Sequence, residues 1–298
     1  MIKGIYTPHL VPFTDTGAIN EEELRRLINW LIEKGVNGLY PNGSTGEFIR
    51  LSPEERRRVV KIVVEETRGK VPVMAGAAEP NIDMIVEAGK AYRDLGCIAI
   101  SVTGPYYHRI SGDSVEQFFR DLVAKTPIDI VLYNIPQFCN EIPLPSVKRL
   151  AQEFPRIVGI KDSSKDFIRF LTLLREVKAV RPDFSIMSGC EEVLLPAMFM
   201  GADGGTVAVS GIVPEAMTKL CRLFAAKKWG EARELHFQLL ELINLMHTAS
   251  NFPDGFRAAL STRGFNLGKS RQPITRDEEA NLQHIRDRAK PMIAALIG

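Results

Sequence analysis

Cysteine is scarce. The four present, Cys97, Cys139, Cys190 and Cys221, lie far apart and form no Cys-x-x-Cys pair. That fits reduced thiols in a reducing compartment better than a disulfide framework or a thiolate zinc site. Histidine is scarce as well. His9, His108, His236, His247 and His284 are scattered, none at metal-ligand spacing from a second histidine or an acid, so no catalytic metal is expected. A dominant charge sign is also missing: 38 basic residues against 36 acidic ones leave a net +2. With no basic run and no basic–aromatic alternation, nucleic acid is not an expected partner. No apolar stretch approaches the length of a membrane span. Met1-Ile2-Lys3-Gly4-Ile5-Tyr6 enters a strand-like run without a signal-peptide layout. The expectation is a cytoplasmic protein with no membrane partner.

What is present is a long alternation. The 298 residues, 45% hydrophobic and 25% charged, suffice for one large α/β barrel or two ordinary domains. Short β-rich runs recur at Gly4–Pro8, Gly38–Tyr40, Val71–Ala75, Ile98–Val102, Ile128–Tyr133, Arg156–Lys161, Phe184–Ser188 and Gly205–Ser210. Helical patterns fall between them. Asn20 caps one, with Glu23 three residues on and an apolar stripe of Leu24, Leu27, Ile28 and Leu31. Ser52-Pro53-Glu54-Glu55 opens another with a cap, a proline at the first position and an acid at the third. Eight strand–helix units predict a (β/α)8 TIM barrel. A doubly wound dinucleotide fold is disfavoured, because no Gly-x-Gly-x-x-Gly follows the first strand. From about Lys227 the alternation stops and helical stripes continue to the end. The expected organisation is a barrel over residues 1–226 that carries the active site and a helical extension over 227–298.

In a barrel of this kind the chemistry lies at the C-terminal ends of the strands. The sixth run ends on a lysine, Arg156-Ile157-Val158-Gly159-Ile160-Lys161-Asp162-Ser163-Ser164. Burial disfavours the ammonium, and a neutral amine is a nucleophile for ketones; the alternative is a lysine reaching past the strand to water. The fifth run ends Tyr133-Asn134-Ile135-Pro136, which sets a phenol beside Lys161 in a position for general acid/base work, or a rim tyrosine with a satisfied hydroxyl. After the second run comes Asn42-Gly43-Ser44-Thr45-Gly46-Glu47, a turn with exposed amides and hydroxyls suited to a small carboxylate, or a polar loop capping the next helix. After the fourth stands the pair Tyr106-Tyr107, a phenol source or simple packing. Ser188-Gly189-Cys190-Glu191-Glu192 closes the seventh. Its acids suit a helix N-terminus or accept hydrogen bonds from substrate hydroxyls, and they argue against a phosphate site there.

Taken together, Gly43-Ser44-Thr45-Gly46-Glu47, Tyr133-Asn134-Ile135-Pro136 and Gly159-Ile160-Lys161-Asp162-Ser163 resemble the dihydrodipicolinate synthase / N-acetylneuraminate lyase superfamily of class I pyruvate-dependent aldolases. The resemblance runs over essentially the whole chain. It implies a covalent Schiff base between pyruvate and Lys161 with no separate cofactor, and a proton shuttle at Tyr133. Ser44 and Thr45 would hold the pyruvate carboxylate, and Ser44 would link Tyr133 to a Tyr107 reaching in from a neighbouring subunit. It therefore also implies a homotetramer built as a dimer of dimers. Two positions depart from the synthase pattern and narrow the second substrate. Phe138 stands where dihydrodipicolinate synthases carry an arginine for the carboxylate of the aldehyde. Glu191 and Glu192 match the acidic pair with which the sialic acid lyases meet a polyol, and Ser163 matches a hydroxyl residue there, but Ala208 replaces their serine on the eighth strand. Gly189 and Thr206 complete the expected substrate contacts. The reading is a metal-independent lyase acting on pyruvate and a hydroxylated aldehyde, either N-acetylneuraminate lyase-like or an aldolase for 2-keto-3-deoxy sugar acids. The rivals are dihydrodipicolinate synthase proper, a Schiff-base dehydratase or deaminase, and a barrel that only senses a 2-keto acid.

Overall fold

The computed structural model describes residues 1–298. It contains eight parallel strands, β1 (Gly4–Pro8), β2 (Gly38–Tyr40), β3 (Met74–Gly76), β4 (Ala99–Thr103), β5 (Ile130–Asn134), β6 (Ile157–Asp162), β7 (Ser185–Ser188) and β8 (Gly204–Gly205). The sheet runs β2-β1-β8-β7-β6-β5-β4-β3. It closes where Leu39 bridges Val73 and the Gly76 N–H donates to the Pro41 carbonyl. With a helix after each strand this is a (β/α)8 barrel.

By contact density the chain divides into two compact units. The first comprises Met1–Tyr6, Asn37–Pro41 and Pro72–Val207. It holds the sheet with α3 (Ile82–Leu95), α4 (Gly112–Lys125), α5 (Leu144–Glu153), α6 (Phe167–Val180) and α7 (Leu194–Phe199). Inside it Ile2, Tyr6, Tyr40, Met74, Ala99, Val131 and Met187 pack together, all buried. Each such large side chain contributes on the order of 1.5–3 kcal/mol by leaving water. The strands of such a barrel are buried on both faces, which is why they read as near-continuous apolar runs.

The second unit comprises Thr7–Val36, Asn42–Val71 and Ala208–Gly298. It holds α1 (Glu21–Glu33), α2 (Pro53–Thr67), α8 (Pro214–Ala225), α9 (Trp229–Met246), α10 (Asp254–Ser261) and α11 (Arg276–Ile297). The local start signals work as their chemistry dictates. Asn20 accepts from the Glu23 N–H at 3.1 Å. Ser52 and Glu55 exchange both bonds of a capping box, worth about 1 kcal/mol. Ala258, Leu282 and Ile285 form a small core between α10 and α11.

One expected element differs. The apolar run Gly205–Ser210 was expected to be all strand, but β8 is only Gly204–Gly205, and Ala208–Gly211 is a turn of 3-10 helix. A Cβ at Gly204 would lie 2.0 Å from the Gly4 carbonyl oxygen, so glycine is what lets β8 approach β1. Beyond Gly205 a short buried apolar run satisfies strand and buried turn equally well.

Candidate active site

Parallel register sets the geometry. Tyr133 pairs with Lys161 and Asn134 with Asp162, while Lys161 pairs with Met187 and Asp162 with Ser188. Because side chains alternate along a strand, Tyr133 and Lys161 share one face and Asn134 and Asp162 the other. Lys161 is 5% exposed. Its Nζ lies 4.0 Å from the centre of the Tyr133 ring and 4.7 Å from that of Tyr40. The amine therefore lies over two ring faces. Tyr40 was not foreseen, since it sits inside a strand and reads as core. Burial pushes its phenol well above the usual range, the Tyr133 phenol adds to this, and the Ser101 hydroxyl opposes it. Tyr40 thus stays protonated.

The opposite face braces these two strands. The Asp162 carboxylate accepts from Asn134 Nδ2 at 2.9 Å and Arg169 Nε at 3.0 Å, and its other oxygen takes the Ser164 N–H at 3.0 Å. Asn134 Oδ1 accepts the Ile142 N–H at 3.0 Å, and the Ser163 N–H donates to the Asn134 carbonyl at 2.8 Å. Charge-assisted bonds in a buried setting hold such a register firmly. The Tyr-Asn and Lys-Asp dipeptides carried this signal, because an inward pair implies an outward one.

Gly189 lies directly against Lys161. A Cβ there would fall 1.9 Å from Ser163 Oγ and 2.9 Å from Lys161 Cε. The Ser163 and Thr206 hydroxyl oxygens are buried and make no hydrogen bond within the protein. Glu191 is buried, and Glu192 accepts from Lys165 Nζ at 2.7 Å. Burial, then the charges of Glu192 and Glu191, push the Cys190 thiol up to about 12, against Lys165 and Lys161, so this cysteine is inert. Lys165 has a φ of 64° and is a rim cation that sequence reasoning passed over. Phe138 is 67% exposed and Ala208 half-buried on its 3-10 turn.

Gly43, Ser44 and Thr45 belong to the second unit, in the turn between β2 and α2. Two left-handed residues shape this turn, Asn42 at φ 57° and Glu47 at φ 56°. Asn42 Nδ2 donates to the Arg56 carbonyl at 3.0 Å. Glu47, wholly buried in its side chain, accepts from Arg257 Nη1 at 2.9 Å and pairs with Arg50 at 2.7 Å. Arg257 also donates to the Val11 and Leu267 carbonyls. A cavity of about 490 Å3 in this unit, lined by Asp254, Arg257 and Leu267 among others, includes none of the expected site residues.

Of the adjacent tyrosines, Tyr106 packs on the cluster of Tyr133, Ile135 and Cys139. Tyr107 does not: it is 92% exposed at φ 73°, its ring edge-on to His108 at 4.9 Å. The structure thus gathers Lys161, Tyr133, Ser163 and Gly189 and leaves Tyr107 facing outward.

Residues 1–291 match the model of the Dihydrodipicolinate synthetase family. Among curated proteins the chain is similar to a 4-hydroxy-tetrahydrodipicolinate synthase of Nitratidesulfovibrio vulgaris, 30% identical over 96% of each chain. Among solved structures it resembles YagE of E. coli K12, a protein of the dihydrodipicolinic acid synthase family in complex with pyruvate. The TM-score is 0.92, covering 98% of this chain and 99% of the other, and at 24% identity the likeness is one of fold. CdNal from Clostridium difficile, in complex with mannosamine, superposes with a TM-score of 0.87 at 27% identity, covering 97% and 99%.

Proposed function

The chain belongs to the dihydrodipicolinate synthetase family, whose members are lyases and synthases, and from that premise we propose that it makes or breaks a bond to C3 of pyruvate through a Schiff base on Lys161. The observation that carries this is the amine of Lys161, buried, over the Tyr133 ring and in register with it. The amine attacks C2 of the 2-keto acid, water leaves, and the iminium withdraws electrons from C3. Tyr133 moves the proton at the hydroxyl of the bond being made or broken. No further cofactor takes part. Ser44 and Thr45 hold the pyruvate carboxylate on the turn that Glu47 shapes, and the unpartnered Ser163 and Thr206 hydroxyls face the bound substrate. Tyr107 serves a neighbouring copy in a homotetramer; its exposure on a left-handed backbone supports that use, since such strain persists where surroundings enforce it.

The second substrate is a hydroxylated aldehyde. The exposed ring of Phe138 gives a carboxylate nothing to pair with, whereas Glu191 and Glu192 beside Gly189 accept from hydroxyls. The synthase reading is favoured by the 30% identical relative of that name and by Lys165 as a rim cation. Borohydride reduction with pyruvate, followed by peptide mass spectrometry, tests the chemistry. A pyruvyl adduct is expected on Lys161 and none in Lys161→Arg, because a guanidinium stays protonated. An unmodified Lys161 would move the 2-keto acid sensor reading to the front. Turnover of a hydroxylated aldehyde against aspartate semialdehyde then separates the two lyase readings.

A further inference from the structure

Tyr107 is held in a left-handed conformation with its ring almost fully in water, so its own packing does not keep it there. Besides the packing of Tyr106, the segment around it is tied down by the hydrogen bonds of one side chain. Asn140, 5% exposed, follows β5 by six residues. Its Nδ2 donates to the Pro105 carbonyl at 2.7 Å and to the His108 carbonyl at 2.7 Å. Its Oδ1 accepts the Ile110 N–H at 3.1 Å. Its backbone N–H donates to Pro105 as well, at 3.0 Å. Every hydrogen-bonding atom of the amide is thus spent on residues 105, 108 and 110, which bracket Tyr107. From the other side, a Cβ on Gly104 would lie 2.5 Å from the Asn140 carbonyl oxygen, so the strand end meets Asn140 in backbone-to-backbone contact.

We infer that Asn140 is a positioning residue that sets the orientation of Tyr107 and through it the rate of proton transfer. The inference rests on the reading above, in which Tyr107 supplies a phenol to the reaction. Asparagine suits the task because one planar group offers two donors and an acceptor. Aspartate keeps the acceptor for Ile110 but turns a charge toward two carbonyls; alanine removes all three bonds.

The test is a double-mutant cycle of Asn140→Ala and Tyr107→Phe, with Asn140→Asp as an isosteric companion. Displacement of a reacting group by about 1 Å costs on the order of 10²-fold. Asn140→Ala is therefore expected to lower kcat by about 10- to 100-fold with the KM for pyruvate changed less than about 2-fold. Asn140→Asp is expected to fall between wild type and alanine. In the Tyr107→Phe background the same change should cost less than about 3-fold, because the group it positions is gone. Amide exchange at Ile110 should speed up in Asn140→Ala, which removes its acceptor, and much less in Asn140→Asp, which keeps it. Additive losses in the cycle, or wild-type kcat in Asn140→Ala, would overturn the inference while leaving a trapped Lys161 and the lyase reading intact. Failure to trap pyruvate on wild-type Lys161 would instead overturn the lyase reading, and the catalytic role of Asn140 with it.

Discussion

Replacing Gly189 by alanine adds one methyl group at the most crowded point of the site. The new carbon would start 1.9 Å from Ser163 Oγ, 3.2 Å from Ser163 Cβ and 2.9 Å from Lys161 Cε, whereas carbon atoms rest at about 3.5–4.0 Å. Rotating the Ser163 hydroxyl relieves only the first contact. Lys161 must still withdraw by roughly 0.6 Å or more to reach that spacing. Two consequences follow. Overpacking costs about 1–3 kcal/mol of stability, and, if Lys161 carries the chemistry proposed for it, a shift of its amine approaching 1 Å lowers turnover by up to about 10²-fold. Gly189 is not one of the residues with positive φ, so backbone strain does not confuse the result. The assay is kcat with thermal melting of Gly189→Ala alone and combined with Ser163→Ala. The pair should regain part of the stability, since the closest clash is gone, but not kcat, since the Lys161 contact remains. Wild-type kcat and melting in Gly189→Ala would refute the packing argument and the placement of Lys161 against Gly189.

Two further predictions concern charge. In Glu47→Gln the guanidinium of Arg257, which burial already drives toward deprotonation against the pull of Glu47, loses its carboxylate; breaking such a buried pair costs about 3–5 kcal/mol. Melting should fall accordingly and the KM for pyruvate should rise as the Gly43–Thr45 turn loosens, whereas unchanged melting would show that the pair contributes nothing net. Glu116 on α4 has its carboxyl held down from the usual 4.5 to about 2, by Arg149 of α5 first and then by Arg120. A depressed folded value means stability that is present above the unfolded value and lost as pH falls through the folded one. Urea midpoints of wild type should therefore decline more steeply between pH 4.5 and 2 than those of Glu116→Gln; parallel curves would refute the assignment.

The barrel was legible because its causes are local. Asn20 with Glu23 and Ser52 with Glu55 announce helix starts through bonds spanning three residues, and a strand buried on both faces writes itself as an apolar run. The Lys161–Tyr133 pair was legible one step further on, since parallel register brings the ends of successive strands together. The misread end of β8 shows where this stops: Thr206–Val209 is apolar enough for a strand, yet glycines at 204 and 205 and the turn after them decide otherwise. Glu47 in its turn meets Arg257, 210 residues later, and no local pattern joins them.

The order of strands and helices and the placement of Lys161 and Tyr133 at strand ends were set by the sequence alone, because period, capping and residue chemistry act within a few positions. Tyr40 over the amine, the Asn134–Asp162–Arg169 brace, the close packing of Ser163 and Lys161 against Gly189, the Lys165–Glu192 pair and the Asn140 clamp on the Tyr107 segment were decided only by the tertiary structure. Each depends on which groups the folded chain brings into contact, a proximity that composition and periodicity do not encode.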